Sequence, residues 1–489
     1  MIPSIIIGLY LAVLVGVALF SSRFLRQTRG DYFLASRGIG PFMLLMSLAG
    51  TTMTAFSLTG SSGFTFMKGI GTYGLMGSAS ALVHPLIFFL VGAKVWALGK
   101  KYGYLTQLSF LRDRYDSPVL AALLFPLLVG FIMLYIVMGA IGAGATLEAL
   151  TGLRYELGVA LICIVVLVYV FFGGMRGTAW ANTLQTLVFM VMGMVAFVVI
   201  VNQLGGPAAA TQSVIQNEDA AVASRAARAS MGKGVFATYL LIPVSVGMFP
   251  HLFQHWLTAS RASNFKLTVA AFPFCLAITW VPCVLIGMWA TAHLPLEGTD
   301  PNKVLPLMVG NYAGPVLTGL IGAGILAAMM SSMDSQFLCL GSLFTNDLYL
   351  QIFKQKSVSE RAAVWTGRVF VTLVVAATYG IALCKPGGVF PIGVWCFTGF
   401  TSLFPILLGA LYWRRANKYG AIAAVLTVAG LWLAFLPKAL QKGGFLILDL
   451  HPVTFIFVGS TLAFVVVSLA TPRPSTTLVE KFFPAKTAA

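Results

Sequence analysis

Long apolar blocks separated by short polar runs fill this chain from end to end. They fall at about 4–21, 41–66, 73–97, 118–148, 155–172, 179–203, 235–257, 267–292, 313–343, 363–384, 388–412, 419–437 and 453–471. Each is long enough for the roughly 20 residues that a bilayer core requires of a helix. The pattern predicts an all-α polytopic membrane protein with about 13 transmembrane helices, organised as one transmembrane domain over 1–489.

Two blocks are interrupted. The second contains Gly50-Thr51-Thr52-Met53-Thr54 and then Gly60-Ser61-Ser62-Gly63, and the seventh contains Pro243, Gly247 and Pro250. An odd number of spans separates their starts, so the two cross the membrane in opposite senses. Gly- or Pro-interrupted segments at matching places in two inverted halves mark the binding site of a secondary transporter. At membrane depth a broken helix survives only where it lines a cavity or is buried in protein. An ordinary kink accounts for either break alone, whereas the matched pair favours transport.

The segment Gly322–Tyr349 adds candidate chemistry. Ala328, Ser331, Ser332 and Ser335 recur at helical spacing and share a face with the carboxylate of Asp334. A charge at that depth costs roughly 2.5–3.5 kcal/mol on insertion scales and marks a functional site by default. Hydroxyl and carbonyl oxygens suit a hard cation such as Na⁺. A close helix–helix contact would explain the serines, but not the aspartate.

Composition agrees with the pattern: 58% of residues are hydrophobic, 9% are charged, and the mean hydropathy is +0.91. Placing the N-terminus outside puts Arg23, Arg26, Arg29 and Arg37 in the first cytoplasmic loop. It also puts Lys100, Lys101, Arg112, Arg114, Lys354, Lys356, Arg361, Arg368, Arg414, Arg415 and Lys418 inside. The net charge of +17 is then topology plus attraction to an anionic leaflet, with the lipid bilayer as partner and no nucleic acid. The first span has arginines after it and none before, the reverse of a cleaved signal. The six cysteines lie within or at the ends of apolar blocks without metal spacing. The hydrophilic stretch Gly205–Gly234 reads as an outer loop with a short helix of its own, and Glu148 and Glu156 as solvated groups beside another.

Other motifs carry less. His251 and His255 form an i,i+4 pair without a third ligand, and Leu252 stands where a zincin would need Glu, so a helix-end hydrogen bond or a gate is favoured over a metal. His84 reads as a satisfied core histidine. Gly69–Gly74 matches G-x-G-x-x-G with no preceding strand, a chance match. An enzyme would need more acids and histidines in the spans, so none is expected. A proton-coupled transporter, or a sensor or channel on the same fold, is the alternative to a sodium-driven symporter.

Separated motifs then point to one family. DYFLASRGIG (31–40), YLTQLSFLRDRYDS (104–117), FFGGMRGTAWANTLQ (171–185), and AAMMSSMDSQ (327–336) with TNDLY (345–349) resemble the sodium:solute symporter family. The resemblance implies a leucine-transporter-like fold of two inverted five-helix repeats, 41–203 and 235–412. An extra helix and loop (1–40) would precede them, and two helices and a tail (413–489) would follow. It implies a sodium site made by the carbonyls of Gly50, Met53 and Ala328 and the hydroxyls of Ser331 and Ser332, with Na⁺ as coupling ion and no transition metal. Substrate would sit at the midplane against Thr52, Thr54, Phe56, Ser57, Met248 and Phe249. The implied function is symport of a small organic solute by alternating access across the plasma membrane, and the GGMRG wording leans toward pantothenate or a monocarboxylate.

Two departures stand out. Many relatives carry an acid in Trp-X-Asp that helps bind a second sodium ion, and here the sequence is Trp180-Ala181-Asn182. Either Asn182, Asp334 and Ser335 form a second cation site with the charge moved, or coupling uses one ion, or Asp334 hydrogen-bonds to Asn182. The span 118–148 also lacks the arginine that serves sialic acid, which disfavours a large acidic sugar.

Overall fold

A computed structural model describes residues 1–23, 28–75, 79–227, 231–352, 359–439 and 445–483. Arg26, Lys354 and Lys356 of the predicted cytoplasmic set lie outside them. Many helix starts follow directly from residue chemistry. Pro41, Pro118, Pro207, Pro250, Pro315 and Pro452 open helices where a missing N–H costs nothing. Thr106, Ser117, Ser359 and Ser475 cap others by accepting from the amide three residues on.

The helices in order are α1 Ile2–Ser22, α2 Arg29–Leu34, α3 Pro41–Thr52, α4 Phe56–Lys68, α5 Ala79–Tyr102, α6 Gln107–Tyr115, α7 Pro118–Thr151 and α8 Tyr155–Gln203. They continue with α9 Pro207–Ile215, α10 Lys233–Gly247, α11 Pro250–Thr258, α12 Asn264–Ala292, α13 Val304–Tyr312 and α14 Pro315–Leu343. The last are α15 Glu360–Leu383, α16 Val389–Tyr412, α17 Lys418–Ala439, α18 Pro452–Ala470 and α19 Thr476–Phe482. Both interrupted spans are broken where the sequence places the breaks: α3 and α4 bend by 55°, and α10 and α11 by 48°.

Two span boundaries differ from the reading of the sequence. The third span reaches Tyr102 instead of 97, because Lys100 and Lys101 continue the helix until Gly103, whose φ of 75° ends it. The blocks 155–172 and 179–203 are not joined by a loop. Helix continues through the signature except at Gly174, where φ is 53° and ψ −158°. An unbroken helix of 49 residues would measure about 73 Å, more than twice the hydrocarbon core. The single glycine therefore turns one element into two spans. It is also seated on α2, since a Cβ there would lie 2.8 Å from the Tyr32 ring and 2.9 Å from the Tyr32 carbonyl. Tyr32 donates to Val170 O at 3.1 Å, and Arg176 pairs with the buried carboxylate of Asp31 at 2.9 Å. The first and third motifs of the resemblance are thus one contact.

At the centre stands α14, buried without interruption from Ile321 to Leu343 and packed on α1, α3, α7 and α8. At one end of the bundle Pro301–Lys303 seats against α4, where a Cβ on Gly63 would meet Pro301 O at 2.1 Å. Val389 N–H donates to Asn302 Oδ1 at 3.0 Å, and Lys303 pairs with Glu148 at 2.7 Å. Glu148 is therefore tied down and not simply solvated, while Glu156 lies 3.6 Å from exposed Arg154. A cavity of about 770 Å³ opens beside this loop.

At the opposite end α6 is a hub. Arg114, fully buried, donates to the carbonyls of Ala410, Trp413 and Ala416 at 3.0, 3.1 and 3.4 Å, neutralising the carbonyl end of α16. Lys481 of α19 grips both oxygens of Asp113 at 2.8 and 2.6 Å, and Phe482 is buried against Tyr102 and Phe110. Burial, with Asp113 beside it, holds the Tyr104 phenol above its ordinary range.

Candidate substrate and sodium site

The chain leaves α3 at Met53, whose backbone is extended. Side chains then supply the hydrogen bonds the helix no longer makes. Phe56 N–H donates to Thr54 Oγ1 at 3.0 Å and Thr54 N–H to Ser57 Oγ at 3.4 Å. Thr52 commits its hydroxyl proton to Leu48 O and Ala49 O at 2.8 and 3.1 Å, leaving lone pairs to accept.

Against this break lies the serine face of α14. Ser331 Oγ donates to Gly50 O at 2.7 Å and to Ala328 O at 3.0 Å. Gly50 is needed toward α8 and not toward α14: a Cβ there would stand 2.4 Å from Thr186 Oγ1, whereas 3.6 Å from Ser331 Cβ is ordinary contact. Gly50, Ala328 and Ser331 are therefore brought together, with Met53 at the end of the same helix. Ser332 instead donates to Met329 O at 2.9 Å within α14.

The candidate second group converges as well. With the Asn182 amide oxygen accepting from Thr51 Oγ1 (3.1 Å) and Ser335 Oγ (3.0 Å), its nitrogen reaches Asp334 at 2.9 and 3.1 Å and Gln185 Oε1 at 3.2 Å. In that orientation both sides of the amide are satisfied. Ser335 Oγ also lies 3.0 Å from Asp334 Oδ1, so its one proton is shared between the amide oxygen and this carboxyl, and Tyr169 donates to Met330 O at 3.3 Å. His255 Nε2 lies 3.0 Å from Ser335 Oγ and 3.3 Å from Thr51 Oγ1. All these residues are at most 1% exposed. Of the three options for Asp334, a hydrogen bond to Asn182 is present. Thr51, Tyr169, Gln185 and His255 were not singled out for this cluster from the sequence, although Thr51 adjoins Gly50 and Gln185 follows Asn182 by one helical turn.

Between the two broken spans lies a cavity of about 30 Å³. Thr52, Phe56, Ser57 and Phe249 line it, as expected, joined by Ser80, His84, Tyr135, Tyr239, Pro243, Ser245, Trp280 and Phe397. Two expected contacts fall elsewhere. Thr54 serves the backbone of the break, and Met248 turns to Gln107, whose Nε2 lies 3.4 Å from its sulfur. A residue at a bend has no helical face from which its direction can be read. Phe56 and Phe397 form one side of the cavity, and the ring of Phe390 stacks on Phe56 (4.8 Å between centroids) and on Phe64 (3.7 Å). Aromatic side chains thus separate this cavity from the larger one near Pro301–Lys303. His251 stacks on Phe249 and meets Tyr135 edge-on, so the two histidines of α11 serve different neighbours.

A sequence profile of the sodium:solute symporter family matches residues 32–428. The sodium/pantothenate symporter of Escherichia coli (strain K12) is 28% identical over 473 residues, covering 94% of each chain. The osmoregulated proline transporter OpuE of Bacillus subtilis (strain 168) is 26% identical over 454 residues, covering 91% of this chain and 90% of the relative. Among solved structures, a Na⁺-coupled sialic acid symporter in a substrate-bound outward-open state superposes over 97% of this chain and 99% of its own, with a TM-score of 0.79 at 17% identity. MhsT in complex with L-phenylalanine gives a TM-score of 0.53 at 14% identity, covering 88% of this chain and 98% of its own. The fold is thus leucine-transporter-like, with two inverted five-helix repeats. The chain belongs to the sodium:solute symporter family, multi-pass membrane transporters for which Na⁺ is the coupling ion.

Proposed function

We propose that this protein imports a small organic carboxylate together with Na⁺ by alternating access, with its N-terminus outside. The observation that carries the reading is the placement of an aromatic cavity between two broken helices, beside the oxygens of Gly50, Ala328 and Ser331. Those oxygens, with the carbonyl of Met53 and the hydroxyl of Ser332 after a rotamer change, form an uncharged sodium site that can release its ion on each cycle. The relatives' names point to pantothenate and proline, both carboxylates. The inside assignment draws support from α6, whose Arg112 and Arg114 share an end of the bundle with Arg414, Arg415 and Lys418.

The test is uptake into proteoliposomes with Na⁺ or choline outside, using labelled pantothenate, L-proline and pyruvate. Uptake of at least one carboxylate in Na⁺ alone is expected. Equal uptake in choline, rising on external acidification, would make the proton the coupling ion.

The sodium site makes a second prediction. Ser331→Ala should raise the half-saturating Na⁺ concentration about tenfold, the value of one charge-assisted contact. Ser332→Ala should raise it less. Both keep a good helix former, so detergent melting temperatures should move little. An unaltered sodium response in Ser331→Ala removes this hydroxyl from the site.

A further inference from the structure

Two polar side chains on the wall of the central cavity have no hydrogen-bond partner among the described residues: His84 at Nδ1 and Trp280 at Nε1. Both are buried, at 8% and 5% exposure, and they come from different helices, α5 and α12. A buried polar atom left unmatched is costly, so a site that keeps two of them on one cavity has a use for both. The indole N–H can only donate, and an imidazole offers a donor at one of its nitrogens. The His84 ring is set between those of Phe88 and Phe272, at 6.4 and 5.6 Å between centroids, which holds its plane. Every acidic or basic side chain apart from histidine is absent from the lining among the described residues. The rest of the wall is largely aromatic.

We propose that Trp280 and His84 are the specificity-determining contacts for the solute's acceptor end, a carboxylate, while Phe56, Tyr135, Phe249 and Phe397 pack its apolar body. The inference rests on the carboxylate reading above. The carboxylate is then met by hydrogen bonds from the indole and the imidazole, with no cationic side chain among the described residues of the lining.

The experiment compares wild type with Trp280→Phe, His84→Phe and His84→Gln in proteoliposomes, using L-proline, pantothenate and pyruvate, each beside its primary amide. In the wild type the carboxylate should be preferred over its amide. Trp280→Phe and His84→Phe should each raise KM for the carboxylate about tenfold and shrink that preference. His84→Gln, which retains a donor, should keep most of it. The half-saturating Na⁺ concentration at saturating solute should stay the same in all variants, and melting temperatures report on folding. A wild type that takes up none of the carboxylates overturns the carboxylate reading and this inference with it. A wild type that does, with an unchanged carboxylate-to-amide ratio in both Phe variants, overturns this inference alone.

Discussion

Gly174→Ala is expected to remove most correctly folded protein from the membrane. The residue holds φ 53° and ψ −158°, a region essentially confined to glycine, where another residue pays on the order of 1–3 kcal/mol. The added Cβ would also press on the ring and carbonyl of Tyr32 at 2.8 and 2.9 Å, and overpacking of a tight contact costs about another 1–3 kcal/mol. Their sum, about 2–6 kcal/mol, reaches the low end of the whole stability of a domain, about 5–15 kcal/mol. Gly193→Ala, on the same element with open space at its Cβ, is the control and should be neutral or slightly stabilising. Fluorescence-detected size-exclusion yield and detergent melting decide the matter. A Gly174→Ala protein that melts with the wild type would show that the break tolerates a side chain.

Asp334→Ala should lower uptake about a hundredfold or more, since removing one partner of a buried charged network costs about 3–5 kcal/mol and each 1.36 kcal/mol is a factor of ten. The change strips hydrogen bonds from Asn182 and Ser335 together, in a cluster at most 1% exposed. Exchanging Asp334→Ser with Asn182→Asp should restore part of the activity, because the charge returns to the neighbouring helix within the same cluster. Counting sodium ions per solute in the restored protein then separates a second cation site from a tether. If Asp334→Asn transports normally with an unaltered ion count, the carboxylate's charge has no part in coupling.

The legible part of this protein was what hydropathy and glycine–proline chemistry encode. The spans, the two breaks and the serine face of α14 follow from local periodicity, and the family from motifs along the chain. What escaped the sequence was chiefly who faces whom. The resemblance groups Asn182, Asp334 and Ser335, but Thr51 and His255 come to them from two other helices, and each of these alone resembles an ordinary polar residue in an apolar block. His84 reads as a satisfied core histidine until the cavity shows one nitrogen without a partner. Boundaries failed for a different reason: helix persists through polar Lys100 and Lys101, and through the signature up to and beyond one left-handed glycine.

The docking of α19 changes what counts as a moving part. Asp113 is gripped by Lys481, and Arg114 by three carbonyls at the end of α16 and just after it. The short helix α6 is therefore clamped to α19 and to the end of α16 although it sits in the chain between α5 and α7. Any rocking that carries α5 or α7 must either drag these elements along or shear these bonds. In such a motion α19 and the end of α16 would act as ballast on the hinge, limiting how far one face could swing before the other followed.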